Sequence, residues 1–466
     1  LSEIGEWLGF PKLPMPKDQT DMEEWYLYCY RDVDVLRKIF EQFTQFLKEK
    51  DMGNFGFTIA KQAFNCYKHR FMKHAIVIHN DFQATQLERS AYYGGRNECF
   101  HIGKPPGERF FKLDINSQYP YVMQQFPFPC KFLSNKTVLK KDWLQKHLNH
   151  WCYIARVKVN TEIPCVPLKG KKRLFFPVGE FTTTLCQPEI ELLDIHQIPY
   201  TIQEINLYEK AFLFTDFIQE MYALRQRFKT QGNKVYENFV KINMNSLYGK
   251  FGQRTPVWQE YKRIPENLCY TYNLFDQKTK RHYRVRCING VEEIHTGYEE
   301  SFDTFVAISA FVTSYARRYL WELMDTAGLE NVFYVDTDSL FVNEIGYERL
   351  SSFLDNKELG KLKLEKEDNY LYINTLKDYQ FGDEIKVKGV KKQSEALAYN
   401  WRTRKPNLYQ TEQWEHAAGA IGKERLETVI TRSTKKQLTH EYHKGTVDGS
   451  GRVQPFYIDD FHFLNE

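Results

Sequence analysis

"YVDTDSLFV", residues 334–342, sets two aspartates one residue apart at the centre of an apolar, strand-like run. Asp and Thr cap tight turns through side-chain to backbone hydrogen bonds, and alternating strands flank such turns, so the stretch reads as a β-hairpin. A turn, however, has no need of two acids. Like charges this close repel unless a cation sits between them. The stretch is thus either a plain turn or part of a cation-binding floor, and the rest of the chain decides which.

Upstream, "ERFFKLDINSQYPYVM" (108–123) reads as a strand that ends at Asp114, turns through Asn116 and Ser117, and runs on into a helix. If that strand pairs with the hairpin, Asp114, Asp336 and Asp338 converge. Hard divalent ions take oxygen ligands, and Mg²⁺ is held by one or two carboxylates plus substrate phosphates. Two such ions about 3.5–4 Å apart lower the pKa of an attacking hydroxyl and stabilise the leaving oxygen of an in-line displacement.

"FIQEMYALRQRFK" (217–229) and "KVYENFVKINMNSLYGKFG" (234–252) read as two helices around a polar turn at 230–233. At about 100° per residue, Lys234, Asn238, Lys241, Asn245 and Tyr248 form one stripe, with Phe239, Ile242 and Leu247 on the other face. Such a stripe suits the solvent side of an amphipathic helix. With Lys229 in the preceding turn, it equally suits a set of point charges for a triphosphate.

The whole chain narrows the choice. Its 466 residues suffice for roughly two to four domains, and 42% hydrophobic with 16% aromatic residues marks a globular chain with aromatics to spare for base stacking. A net charge of +4 does not by itself signal nucleic acid, but "KVKGVKK" (386–392) and "WRTRK" (401–405) concentrate seven basic residues with Glu395 between them. That is a solvated face or a phosphate-tracking surface. The nine cysteines are scattered, without a C-x-x-C pair, and read as reduced thiols with no zinc site. Neither a membrane-length apolar run nor a signal peptide is present, so the expectation is an intracellular protein, not secreted, with no membrane partner. "LSEIGEWLGFPK" opens without an initiator Met, as expected of part of a longer polypeptide.

"DINSQYP", "KINMNSLYG" and "YVDTDS", in this order and with "YYGG" (92–95) ahead, resemble the A, B and C motifs of family B DNA polymerases. The long intervals between motifs resemble the protein-primed subgroup of bacteriophages, adenoviruses and linear plasmids. "TSYAR" (313–317) resembles that subgroup's T-x-x-G/A-R motif, and "KDY" (377–379) its K-x-Y motif. The resemblance runs from about residue 25 to 390.

It implies an α+β right-hand polymerase: a palm with an antiparallel sheet, helical-hairpin fingers and a thumb. The implied domains are an exonuclease remnant (1–52), palm (53–125), first insertion (126–216), fingers (217–252), second insertion (253–302), palm (303–405) and thumb (406–466). It implies extension of a DNA primer–template from dNTPs by a monomer, with two Mg²⁺ ions (Mn²⁺ able to substitute) and, for protein priming, a terminal protein. Asp114 and Asp338 would bind both metals with Asp336 in support. Tyr119 would lie under the sugar, Lys229 and Lys241 would hold the triphosphate, and Tyr248 would line the nascent pair. Asn245 would place the primer–template, Lys377 and Tyr379 would hold the primer terminus, and Thr313 and Arg317 would contact duplex phosphates. Tyr92, Gly94 and Gly95 would approach the template backbone.

Two departures stand out. Gln118 replaces the leucine usual in S-L-Y-P, which implies altered packing or an extra polar contact. "YCYRD" resembles the last motif of a 3′–5′ exonuclease site, with Tyr28 and Asp32 on one helix face, but its partner carboxylates belong on segments upstream. "DME" (21–23) lies one turn before Tyr28 on the same helix and reads as a coincidence, so no proofreading is expected of this chain. Competing readings are a primer-independent family B polymerase, an RNA-templated polymerase (disfavoured because Thr337 separates the acids), a two-metal nuclease and a catalytically dead nucleic-acid binder.

Overall fold

The hairpin forms. Val332–Asp336 and Ser339–Asn343 pair antiparallel across a two-residue connection, Thr337 and Asp338. Thr337 takes φ 68°, a left-handed conformation that β-branched residues rarely adopt. In a computed structural model that describes residues 1–18, 20–137, 150–170, 173–266, 268, 270–277, 279–390, 394–399, 406–414 and 431–458, the hairpin lies inside a five-stranded antiparallel sheet. Asn97–Cys99 flanks it on one side. Phe110–Ile115 flanks it on the other and is itself paired with Leu362–Asp368. Ser339 faces Asp114 in the register, as strand pairing between the first and third motifs requires.

Alternation decides what each face of this sheet buries. Phe111, Leu113 and Ile115 point into a core with Val335, Leu340, Leu320, Trp321 and Met324. The last three belong to the helix Val306–Ala327, which is buried on all sides from Val306 to Arg317, as an apolar helix at the centre of a fold must be. Gly328 ends it at φ 81°. Phe110 points the opposite way, into a cluster with Phe333, Phe341, Tyr379 and Phe381. That cluster is covered by the small sheet Leu371–Thr375, Asp378–Phe381 and Glu384–Lys386. Lys112 and Asp114 share Phe110's face of the strand.

Thr215–Thr230 and Lys234–Phe251 make the expected helical hairpin, with the Asn233 side chain capping the second helix through the Tyr236 N–H. Lys229 sits in the last turn of the first helix rather than in the connecting turn. Phe228, Val240, Met244, Leu247 and Phe251 anchor the pair in a core shared with Phe46 and Phe214. The stretch expected to be the first insertion is β-rich: Phe128–Lys136, Tyr200–Ala211, Cys152–Thr161 and Gly179–Cys186 form an antiparallel sheet in that spatial order.

Two compact units result. The larger takes residues 42–252, 303–388 and 440–466 and holds everything above. The smaller takes 1–41, 253–302 and 389–439. It contains a four-stranded sheet over 254–300 and a three-stranded sheet, Glu395–Tyr399 with Pro406–Trp414 and Thr431–Gln437. The boundaries read from sequence shift accordingly. Residues 395–399, assigned there to the palm, hydrogen-bond to the strand at 406–414, whereas 440–458, assigned to the thumb, belong to the larger unit. Of the basic run, Lys391, Lys392 and 401–405 lie outside the described residues. Among the described residues no helix is long and apolar enough to cross a membrane.

Candidate active site

Asp114 ends the central strand and Asp338 closes the hairpin beside it, where the Ile115 N–H donates to the Asp338 carbonyl at 2.7 Å. Burial, then the charges of Asp338 and Glu365, push the Asp114 carboxyl up to about 7, against the opposing pull of Lys112 and Lys363. Asp338 is raised as well, by burial first and then by Asp336 and Glu365, with its own backbone N–H and Lys377 acting against the rise. Half-buried carboxylates that repel one another are the donor set a hard cation relieves. Among the described residues no three acidic, His or Cys side chains close on one point. Mg²⁺ takes one or two carboxylates together with substrate phosphate oxygens, which a pair such as Asp114 and Asp338 suits.

Glu365 escaped the sequence reading. It stands at a bulge between Leu364 and Lys366 on the strand paired with that of Asp114, and it pairs with Lys112 at 3.2 Å. Asp336, expected among the metal ligands, is engaged elsewhere. Lys377 Nζ donates to both of its carboxylate oxygens at 2.9 Å, and the Tyr334 hydroxyl to one of them at 3.4 Å. Lys377 adopts φ 58°, and its N–H donates to the Tyr334 hydroxyl at 3.0 Å. Lys377, expected at the primer terminus and 42% exposed, thus neutralises Asp336 in this structure. Tyr379 is 2% exposed and packs beneath the hairpin against Tyr334 and Phe341, so it supports the site from within instead of touching a primer.

A cleft of about 540 Å³ opens over Asp114 and Asp338, lined by Tyr119, Tyr248, Lys229, Lys241 and Asn245. Tyr119 lies in the first turn of the helix Gln118–Gln125, which follows Ser117 at φ 54°, and its ring meets that of Tyr248 at 4.8 Å. Lys229 and Lys241 are exposed and carry no ion pair among the described residues. Arg225, one turn before Lys229, adds a third cation that the sequence reading passed over. Its Nη1 donates to the Ser117 hydroxyl at 2.9 Å and it approaches Glu237 at 3.7 Å. Gln118 donates to the Ala316 carbonyl at 2.8 Å, the extra polar contact that its departure implied.

The "YYGG" loop divides its work. Gly94 is exposed with open space around it, whereas a Cβ on Gly95 would fall 2.7 Å from Thr337 Cγ2. The Thr337 N–H donates to the Arg96 carbonyl at 2.7 Å, so this loop seats the tip of the hairpin. Tyr92 is half-buried and would itself obstruct a Cβ at Gly252. Arg317 is 3% exposed, bound to Glu189 at 2.8 Å and donating to the carbonyls of Tyr93 and Gly94. Thr313, 2% exposed, donates to carbonyls of its own helix. Both were expected on duplex phosphates; the structure buries them, and Arg317 holds the loop from behind. In the smaller unit, Lys12 donates to the Tyr28 hydroxyl at 3.0 Å and pairs with Asp32 at 2.8 Å. Asp21 of "DME" accepts the Glu24 N–H at the start of Met22–Glu49, a helix cap.

Residues 15–327 match the family model for DNA polymerase type B, organellar and viral, and the chain belongs to that family. Among curated relatives, a probable DNA polymerase of Neurospora intermedia is 24% identical over 362 residues, covering 74% of this chain and 36% of that protein. The primer-independent DNA polymerase PolB of Escherichia coli is 26% identical over 312 residues, 54% of this chain and 35% of that one. The chain thus spans about a third of the length of these relatives. Phi29 DNA polymerase, solved with primer-template DNA and incoming nucleotide, superposes with a TM-score of 0.64 at 16% identity, covering 94% of this chain and 78% of that one. The shared fold is the right hand of type B polymerases.

Proposed function

We propose that this cleft extends the 3′-hydroxyl of a DNA primer on a template, taking dNTPs and releasing pyrophosphate. One observation carries the reading: the Asp114–Asp338 pair, the cations Arg225, Lys229 and Lys241, and the Tyr119–Tyr248 platform line a single cleft.

Asp114 and Asp338, with Glu365 beside them, would hold two Mg²⁺ ions, or Mn²⁺ in their place. Such ions, when bound, lower the pKa of the attacking hydroxyl and stabilise the leaving oxygen. Lys229, Lys241 and Arg225 neutralise the β- and γ-phosphates and orient the α-phosphate for in-line attack. The Tyr119 ring lies where the sugar of the nucleotide sits and excludes a 2′-hydroxyl by contact, while Tyr248 lines the nascent pair and Asn245 places the primer–template. Gly94, exposed and open, admits the template backbone. Two insertions, expected here at 126–216 and 253–302, accompany protein priming in the subgroup this chain resembles, and a terminal protein supplying the first hydroxyl is the proposed partner. The acting species is a monomer inside the cell.

A primer-independent start is the second reading, favoured by the likeness to the Escherichia coli enzyme of that name. The test is extension of a primed single-stranded template with Mg²⁺ and dNTPs by wild type and Asp338→Asn. Extension lost in the variant supports polymerisation; primer shortening in its place points to a nuclease. Tight, salt-sensitive binding with an unchanged primer leaves only a binder. Omitting and adding a candidate priming protein on an unprimed template then separates the two modes of initiation.

A further inference from the structure

Behind the hairpin, away from Asp114, a second cavity of about 220 Å³ lies in the larger unit, lined by Arg96, Lys444, Arg452, Phe100, Phe176 and Tyr442 among others. Arg96 is 1% exposed. Its guanidinium lies over the Phe176 ring at 4.0 Å, and Nε and Nη2 both meet one oxygen of Glu98, at 2.7 and 2.6 Å. Nη1 is buried and has no hydrogen-bond partner among the described residues. Lys444 is 8% exposed and spends two of its three donors on the carbonyl and side-chain oxygens of Asn97, at 2.9 and 2.6 Å. Arg452 and Glu162, both exposed, also line the cavity.

Two buried cations therefore share one buried carboxylate. A guanidinium taken out of water with a donor unmade is costly, and an anion reached by that donor removes the cost. Burial lowers the Lys444 ammonium pKa; the Glu98 charge opposes that fall and the Arg96 charge adds to it. Planar guanidinium donors with an ammonium nearby select tetrahedral oxyanions, phosphate above all. The cavity holds about seven water volumes, enough for a phosphate with a small ester group.

We propose that this cavity is a binding site for a free phosphate-bearing small molecule, held by Arg96 Nη1, Lys444 and Arg452 and separate from the dNTP cleft. The buried position of Arg96 favours a free ligand over a strand of DNA, whose backbone is too broad to follow it in. The site touches the reaction at one point, because the Arg96 carbonyl accepts the Thr337 N–H of the hairpin tip.

Inorganic phosphate is the probe. Calorimetric titration in chloride buffer without divalent ions would use the full chain carrying Arg225→Ala, Lys229→Ala and Lys241→Ala, which removes the three cations of the dNTP cleft. Saturable binding of one phosphate is the expected result, weakened about tenfold or more by Arg452→Gln and by Lys444→Gln and lost in Arg96→Lys. The rim variant Arg452→Gln keeps the proposal testable if the Arg96 variant fails to fold. Absence of saturable binding overturns it. So does binding that ignores all three substitutions, or phosphate displaced by one equivalent of a short duplex, which would make the site a DNA contact.

Discussion

On the Asp336 side of the hairpin a lysine meets the carboxylate through both oxygens, a tyrosine hydroxyl adds a third contact, and the chain settles its own charge. On the Asp338 side, one residue beyond Thr337, the nearest charged groups include Asp114 and Glu365, and both aspartates are pushed upward in pKa. The sequence writes the two acids symmetrically. The structure uses one as an internal strut and leaves the other, with Asp114, charged toward the cleft and in need of a cation from outside. Local neutralisation fixes the hairpin; local frustration makes it a site.

The sharpest test of that contrast is substitution of each acid. Asp114→Asn or Asp338→Asn should lower primer extension by roughly three powers of ten, the several kcal/mol that metal-held charge stabilisation supplies. Asp336→Asn should keep measurable extension, and equal losses at 336 and 338 in single-turnover assays would erase the distinction.

Next comes stability against pH. The Asp114 carboxyl is raised from 3.8 to about 7, so the folded chain holds this proton more tightly than the unfolded one. Stability from this group is full below about pH 4 and is lost as pH rises through about 7. Without divalent ions the protein should melt lower at pH 8 than at pH 5.5 on this account, Mg²⁺ should oppose the loss, and Asp114→Asn should flatten the slope in thermal melts.

Gly95→Ala should destabilise by about 1–3 kcal/mol, the ordinary cost of overpacking, because the added methyl meets Thr337 at 2.7 Å. Chemical denaturation would measure it, with a fall in extension rate as the hairpin tip shifts. Lys377→Ala should cost no more than about 1 kcal/mol, since the lysine is 42% exposed and its pair is screened. The smallest effect is expected from Thr337→Gly, in which relief of the φ 68° strain and the added freedom of the unfolded chain nearly cancel.

Much of this was legible beforehand. The hairpin itself and the helical pair bearing Lys229 and Lys241 follow from period and turn chemistry, and the pairing of the Asp114 strand with the hairpin is the condition that the convergence of the acids required. Glu365 was hidden because "LKLEKED" alternates charges like any solvated edge strand, and only the bulge at 364–366 distinguishes one glutamate. Arg317 and Thr313 share a helix face, as their spacing shows, but spacing cannot say that Glu189 waits across that face in a buried pair. Tyr379 fell to the same ambiguity: a two-residue period assigns it a side without naming that side as the interior. Arg225 lies one turn ahead of Lys229 on the same helix, so its spacing alone puts it on the face of that lysine.

The seat of Thr337 on Gly95 reaches beyond this one chain. Far apart in sequence, the two positions occupy a single volume, so neither can drift alone. In a library randomised at both, larger residues at 95 should survive only with glycine at 337, and threonine at 337 should demand glycine at 95. The pair would be inherited as one character, and its joint variation across surviving clones would trace the hairpin's position without any measurement of structure.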